Sequence, residues 1–151
     1  MRIAYVIVAI VSFFLGLSYY LAYTPPLIAL LILCLSVVTY FYYAKDKKAA
    51  LVGTWRVPEK TLQLLSLSGG WPGAFFAQQR LRHKTKKVSF RLIFWFTVLA
   101  NVSSLVWLHS GSGQITLQYI MRALGNVVDD YMTSDSISAT LIFLTTLMDK
   151  R

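Results

Sequence analysis

The sequence predicts an all-α integral membrane protein: three transmembrane helices, a glycine-broken fourth segment that either re-enters or spans, and an amphipathic carboxy-terminal tail. Three observations predict it. Of 151 residues, 56% are hydrophobic and 14% charged, where a soluble domain carries about 25% charged residues. The apolar residues gather in runs close to the ~20 residues that one bilayer crossing needs. The net charge of +9 is confined to residues 45–91, which hold eleven of the fifteen Lys and Arg against Asp46 and Glu59, while the rest of the chain is neutral. A chain of this size has no room for a large soluble catalytic domain beside its passes. Its one cysteine, Cys34, lies in an apolar run and offers neither an intramolecular disulfide nor a metal cluster, so no metal and no cofactor are expected.

Residues 3–23 carry no charge and as a helix would measure about 31 Å, which matches the hydrocarbon core. The run is long for a signal-peptide core and no small-x-small site precedes Thr24-Pro25-Pro26, so it reads as a retained anchor. The two prolines end it. Residues 27–44 form the second pass, closing on Tyr40, Phe41, Tyr42 and Tyr43, an aromatic belt of the kind found at membrane interfaces. Lys45, Lys47 and Lys48 follow at once, which by the positive-inside rule places this loop, and hence the amino terminus, in the cytoplasm. Residues 88–108 form the third pass, with Arg91 near enough to its end to snorkel.

Between the second and third passes lies the segment 62–79, LQLLSLSGGWPGAFFAQQ. A spanning helix here would put the two basic flanks, 45–60 and 80–91, on opposite sides; a re-entrant turn at Gly69-Gly70-Trp71-Pro72-Gly73 would keep both in the cytoplasm. Such a turn must be buried against protein or a wet cavity. Small residues also recur every four positions, at Ser66, Gly70 and Ala74 and at Gly69, Gly73 and Ala77, which suits close packing of a spanning helix. Beyond 108, His109-Ser110-Gly111-Ser112-Gly113 reads as a flexible linker, and His109 as an interfacial residue. Leu117, Ile120, Leu124, Val127 and Tyr131 then give helical periodicity, and residues 137–148 form a second helix that, at about 18 Å, is too short to span. The organisation expected is a helical membrane domain over 1–110 and an amphipathic tail over 111–151, the tail lying outside if the middle segment re-enters and inside if it spans.

Four motifs occur in order: Lys45-Asp46-Lys47-Lys48; Arg56-Val57-Pro58-Glu59-Lys60; Gly69-Gly70-Trp71-Pro72-Gly73-Ala74; and Arg82-His83-Lys84-Thr85-Lys86-Lys87. Over about residues 27–105 they resemble a small bacterial inner-membrane family classed as a domain of unknown function, some members of which carry a cold-shock domain ahead of the membrane part. The resemblance implies a bacterial inner-membrane location with a cytoplasmic amino terminus. It implies no activity, and neither a cold-shock domain nor the tail beyond Ser110 belongs to it in this sequence.

Each motif residue has a structural and a functional reading. Asp46 follows the second pass, where the helix dipole disfavours a carboxylate; it is either solvated or paired, and Arg56 offers a bidentate partner. Pro58 and Glu59 suit the first turn of a helix, while Glu59 could alternatively act as acid or base opposite His83. Arg80, Arg82, Lys84 and Lys87 are expected to attract anionic lipid headgroups at about 1 kcal/mol per cation, with Arg56 joining them. If the helix breaks at Gly70 and Gly73, a half-helix starting near Pro72 would turn free N–H groups toward a phosphate.

The sequence therefore predicts a multi-pass binding module whose basic cytoplasmic face takes anionic phospholipid headgroups of the bilayer or a protein partner. The alternative is an enzyme acting on a phosphate-bearing lipid headgroup, with His83 and Glu59 as acid and base, but no catalytic motif surrounds them. Nucleic-acid attachment would use the same basic block, yet no exposed loop offers aromatic stacking. Transport lacks the ionisable mid-membrane residue that proton relays use.

Overall fold

In a computed structural model the described residues are 2–21, 25–84 and 87–131; they are helices joined by turns, with no strand among them. The helices are α1 (Arg2–Tyr20), α2 (Pro26–Val52), α3 (Glu59–Leu65), α4 (Trp71–Leu81), α5 (Val88–Leu108) and α6 (Gly111–Tyr131), with a π-helical turn, Ser66–Gly70, between α3 and α4. Two compact units result: one takes residues 31–103, the other the described residues before and after them.

Helices α2 and α5 are long and apolar enough to cross a membrane. Only 11% and 17% of their most apolar windows are buried, unlike the core helix of a soluble protein. Leu33, Val37 and Phe41 on α2 and Leu92, Phe96 and Leu99 on α5 are exposed. The sequence predicts three such helices. The third, α1, is a helix of 19 residues with an apolar stretch at Ala9–Ser18, and residues 22–24, into which the expected pass runs, lie outside the described residues.

Within residues 31–103 the chain doubles back. Helix α3 begins after Pro58, which fixes an extended backbone entry (φ −57°, ψ 140°), with Glu59 in its first turn. At Gly69 φ reaches +114°, a conformation open to glycine because it lacks a Cβ, and the helix direction breaks there. Trp71 and Pro72 then start α4, proline tolerating a first-turn position because no N–H is needed there. The tip packs against the middle of α2 at backbone contact. A Cβ on Gly73 would collide with the Ser36 carbonyl oxygen, and one on Gly70 with the Thr39 hydroxyl. The small-residue spacing is thus used for close approach, on a broken helix. From α5, Asn101 donates its Nδ2–H groups to the carbonyls of Ser66 (3.3 Å), Leu67 (2.9 Å) and Thr97 (2.8 Å). It thereby satisfies backbone acceptors that the π-turn frees from the helical ladder.

The face of α2 turned to this hairpin carries Ser36, Thr39, Tyr43 and Asp46, the last three buried, at the spacing of one helical stripe. Tyr43 leaves the expected interfacial belt: it is fully buried and meets Phe90 edge-on at 6.2 Å, whereas Phe41 and Tyr42 remain exposed.

In the other unit, residues 109–113 are a tight corner in place of the expected linker. Gly113 N–H donates to Ser110 Oγ at 3.2 Å and Gln114 Nε2 to the Leu108 carbonyl at 2.7 Å. These contacts cap the start of α6, where a Cβ on Gly113 would meet the Trp107 carbonyl. His109 bridges the buried Ser18 hydroxyl and the Leu105 carbonyl, donating to the latter from Nδ1 at 2.7 Å. Helix α6 runs unbroken to Tyr131, and the second tail helix expected over 137–148 lies outside the described residues.

The backbone contact under Gly73 generates a prediction. Gly73→Ala forces α4 off Ser36 and should cost about 2–4 kcal/mol, while Gly16→Ala, with open space around it, should be neutral or stabilising by up to about 1 kcal/mol. Thermal melts of both variants in one detergent check the contrast.

Candidate functional site

The open end of the hairpin is closed by ions. Asp46, near the carboxy-terminal end of α2, is fully buried, and a bare carboxylate there would be strongly unfavourable. Three donors from two separate segments surround it. Arg56 reaches it bidentately, Nε to Oδ1 at 3.1 Å and the terminal nitrogen to Oδ2 at 3.2 Å. His83 Nε2 lies 2.7 Å from Oδ2 and Lys84 Nζ 3.6 Å from the same oxygen. Lys84 also donates to Glu59 Oε1 at 2.8 Å, and Lys87 to Glu59 Oε2 at 2.7 Å. Lys84 is thereby the link between the two acids; it is nearly buried and sits 5.6 Å from the centre of the Phe90 ring.

The backbone is bent to make these contacts. Helix α2 ends on Gly53, whose φ of +75° is the left-handed helix stop, with Gly53 and Thr54 both donating to the Ala49 carbonyl. The chain then returns so that Arg56 faces Asp46. On the other flank, Arg82 (φ +47°) and Lys84 (φ +62°) are both left-handed without being glycine; each such residue costs roughly 1–2 kcal/mol. This double bend carries His83 and Lys84 inward to the acids while Arg82 remains exposed.

The candidate residues therefore divide. Asp46, Arg56, Glu59, His83, Lys84 and Lys87 are drawn into one connected network. Arg80 and Arg82 are exposed and form no ion pair among the described residues, as do Lys45, Lys48 and Lys60. Gly70 and Gly73 have their open sides filled by α2, so the half-helix start at Pro72 offers packing where a phosphate pocket is expected. Among the described residues no group of three or more His, Cys, Asp and Glu is placed to hold a metal. Gln63 and Asn101 play parts that sequence reasoning did not assign: Gln63 donates to the Phe90 carbonyl at 3.0 Å, and Asn101 caps the π-turn. Their signal was a polar amide within otherwise apolar helical stretches.

Hydrogen bonds from Lys84 and then Lys87 hold the Glu59 carboxyl below its ordinary value of 4.5. A carboxyl lowered on folding stabilises the fold above its unfolded value and loses that contribution as pH falls through the folded value. Acidification below about pH 4.5 should therefore open the Glu59 end of the network. The acid-side loss of melting temperature should be smaller in Glu59→Gln than in the natural protein, and added salt should reduce the difference, since Glu59 and Lys87 are partly solvated. Asp46→Ala takes the acceptor from Arg56 and His83 and leaves Lys84 with Glu59 alone; with Arg56 half exposed, the loss should be about 1–3 kcal/mol, read in the same melts.

Residues 36–90 match a family described as a protein of unknown function (DUF1294). The matched stretch starts at the α2 residue against which Gly73 packs and ends at the ring that meets Tyr43, so it includes the whole ionic network and the hairpin. It is narrower than the 27–105 expected from the motifs. No curated protein and no solved structure matches the chain.

Proposed function

We propose that the segment shared with this family of unknown function is a re-entrant membrane module, and that the chain is a membrane-embedded binding protein whose exposed cytoplasmic cations take anionic phospholipid headgroups. The observation that carries the reading is the meeting of the two basic flanks: Glu59, at the start of the hairpin, lies 2.8 Å from Lys84, just past its end. Ends that touch belong on one side of a bilayer. From Asp46 to the Gly73 contact at Ser36 is ten residues of helix, about 15 Å, or half of a ~30 Å hydrocarbon core. The tip would thus stop near mid-membrane, its irregular backbone covered by α2 and by Asn101 as burial in lipid requires.

On this reading the motif cations serve two purposes. Arg56, Lys84 and Lys87 neutralise buried or half-buried acids and, with the His83 contact to Asp46, hold the hairpin shut. Lys45, Lys48, Lys60, Arg80 and Arg82 remain free to face headgroups in a plasma membrane whose cytoplasmic surface is negative. One contact favours the enzymatic alternative, a hydrolase of lipid headgroups: the 2.7 Å approach of His83 to buried Asp46, an arrangement that can orient an imidazole as a base.

Reporter fusions after Lys60 and after Lys87 should both report the cytoplasm; opposite sides would sink the module as proposed. In nanodiscs, replacing Arg80 and Arg82 by Gln should lower the preference for phosphatidylglycerol over phosphatidylcholine by about fivefold per cation, the equivalent of about 1 kcal/mol each. His83→Gln keeps a donor toward Asp46 and should leave that preference intact, whereas loss of a lipid-headgroup hydrolysis by this variant alone would favour the enzyme.

A further inference from the structure

Beside the ionic network, α3 and the first turns of α5 leave a groove of about 370 Å³, lined from α3 by Glu59, Lys60, Gln63 and Leu64 and from α5 by Ser89, Phe90 and Ile93. We infer that this groove holds one phospholipid, its phosphodiester at Lys60 and Ser89 and one acyl chain along Leu64 and Ile93. The inference rests on the proposed re-entrant membrane module and gives it a discrete ligand in place of a diffuse attraction.

The exposed residues of the lining change character with depth, while Gln63 spends its amide on the carbonyl of buried Phe90. Lys60 and Ser89 lie in the first turns of α3 and α5; Leu64 and Ile93 come four residues further along each helix, about 6 Å deeper, and both are exposed. A groove polar at the headgroup level and apolar one turn below matches an amphiphile and fits neither a sugar nor a free nucleotide. Charge selects the headgroup group. The Glu59 carboxylate is already covered by Lys84 and Lys87, so exposed Lys60 leaves the mouth net positive. The amino-terminal end of α5, a helix of 21 residues, adds the positive end of its dipole beside Ser89. Both favour a phosphate oxygen at the mouth. The groove volume lies within the range of ligand sites.

The test uses full-length protein extracted in mild detergent from membranes containing phosphatidylglycerol and phosphatidylethanolamine, read by native mass spectrometry. The natural protein should retain one phospholipid per chain. Leu64→Trp fills the groove and should lose it; Ser89→Trp closes the mouth from the other helix and should do the same, so that misfolding of one variant leaves the other to decide. Lys60→Glu should weaken retention at least about fivefold, with helicity and melting temperature unchanged. Arg80→Gln with Arg82→Gln, outside the groove, should retain the lipid. A natural protein carrying no phospholipid, or folded tryptophan variants retaining as much as the natural protein, overturns the groove and leaves the phosphatidylglycerol preference of the module standing. Retained lipid together with fusions on opposite sides of the membrane overturns the module.

Discussion

The Asp46 carboxylate is the constraint from which the rest of the 31–103 unit follows. It is buried in α2, which runs on past it to Val52 instead of ending with the apolar pass, and water cannot relieve it there. Only donors carried in by other parts of the chain can make that position tenable, and they come from both sides of the hairpin: Arg56 before it, His83 and Lys84 after it. To satisfy one acid the chain must return to where it started. Left-handed backbone at Arg82 and Lys84 is the local cost of that return, and Lys84, shared with Glu59, couples the two acids so that the mouth closes as one network.

At its other end the hairpin is governed by size. Glycines at 70 and 73 let α4 approach the α2 backbone to a distance that no side chain permits, and Gly69 supplies the dihedral that turns the chain. A turn of that kind frees carbonyls in a region with little water, and Asn101 answers them. Charge at the mouth and absence of side chains at the tip are complementary. The first sets where the ends meet and the second how closely the tip seats against α2. Between them Tyr43, Phe90 and Leu62 fill the interior.

This arrangement gives the basic block two roles. A cation facing a buried acid is committed to structure and has little left for a ligand; a cation without an acid keeps its field for the solvent or the headgroups. Arg56 and Lys84 are of the first kind, Arg80 and Arg82 of the second, although all four look equivalent as letters in a basic run. The surface left for the proposed ligand is therefore smaller and more defined than a charge of +9 suggests.

Much was legible in the chain itself. Helicity, the apolar stretches of α2 and α5 and the concentration of charge in 45–91 are consequences of local composition, because chain length per turn and desolvation act residue by residue. For Asp46 the sequence left solvation and pairing open, because it placed the residue just past the helix; α2 in fact continues to Val52 and buries the carboxylate. The stripe of Ser36, Thr39, Tyr43 and Asp46 could have been read from its helical spacing as the face awaiting the hairpin. What only the tertiary structure decided was whether segment 59–81 runs on or folds back, which cations the acids consume, and that Tyr43 turns inward. Small-xxx-small spacing serves a straight helix and a broken one alike, and an ion pair between residues 25 or 37 positions apart has no local signature; its energy exists once the fold has brought both partners out of water together.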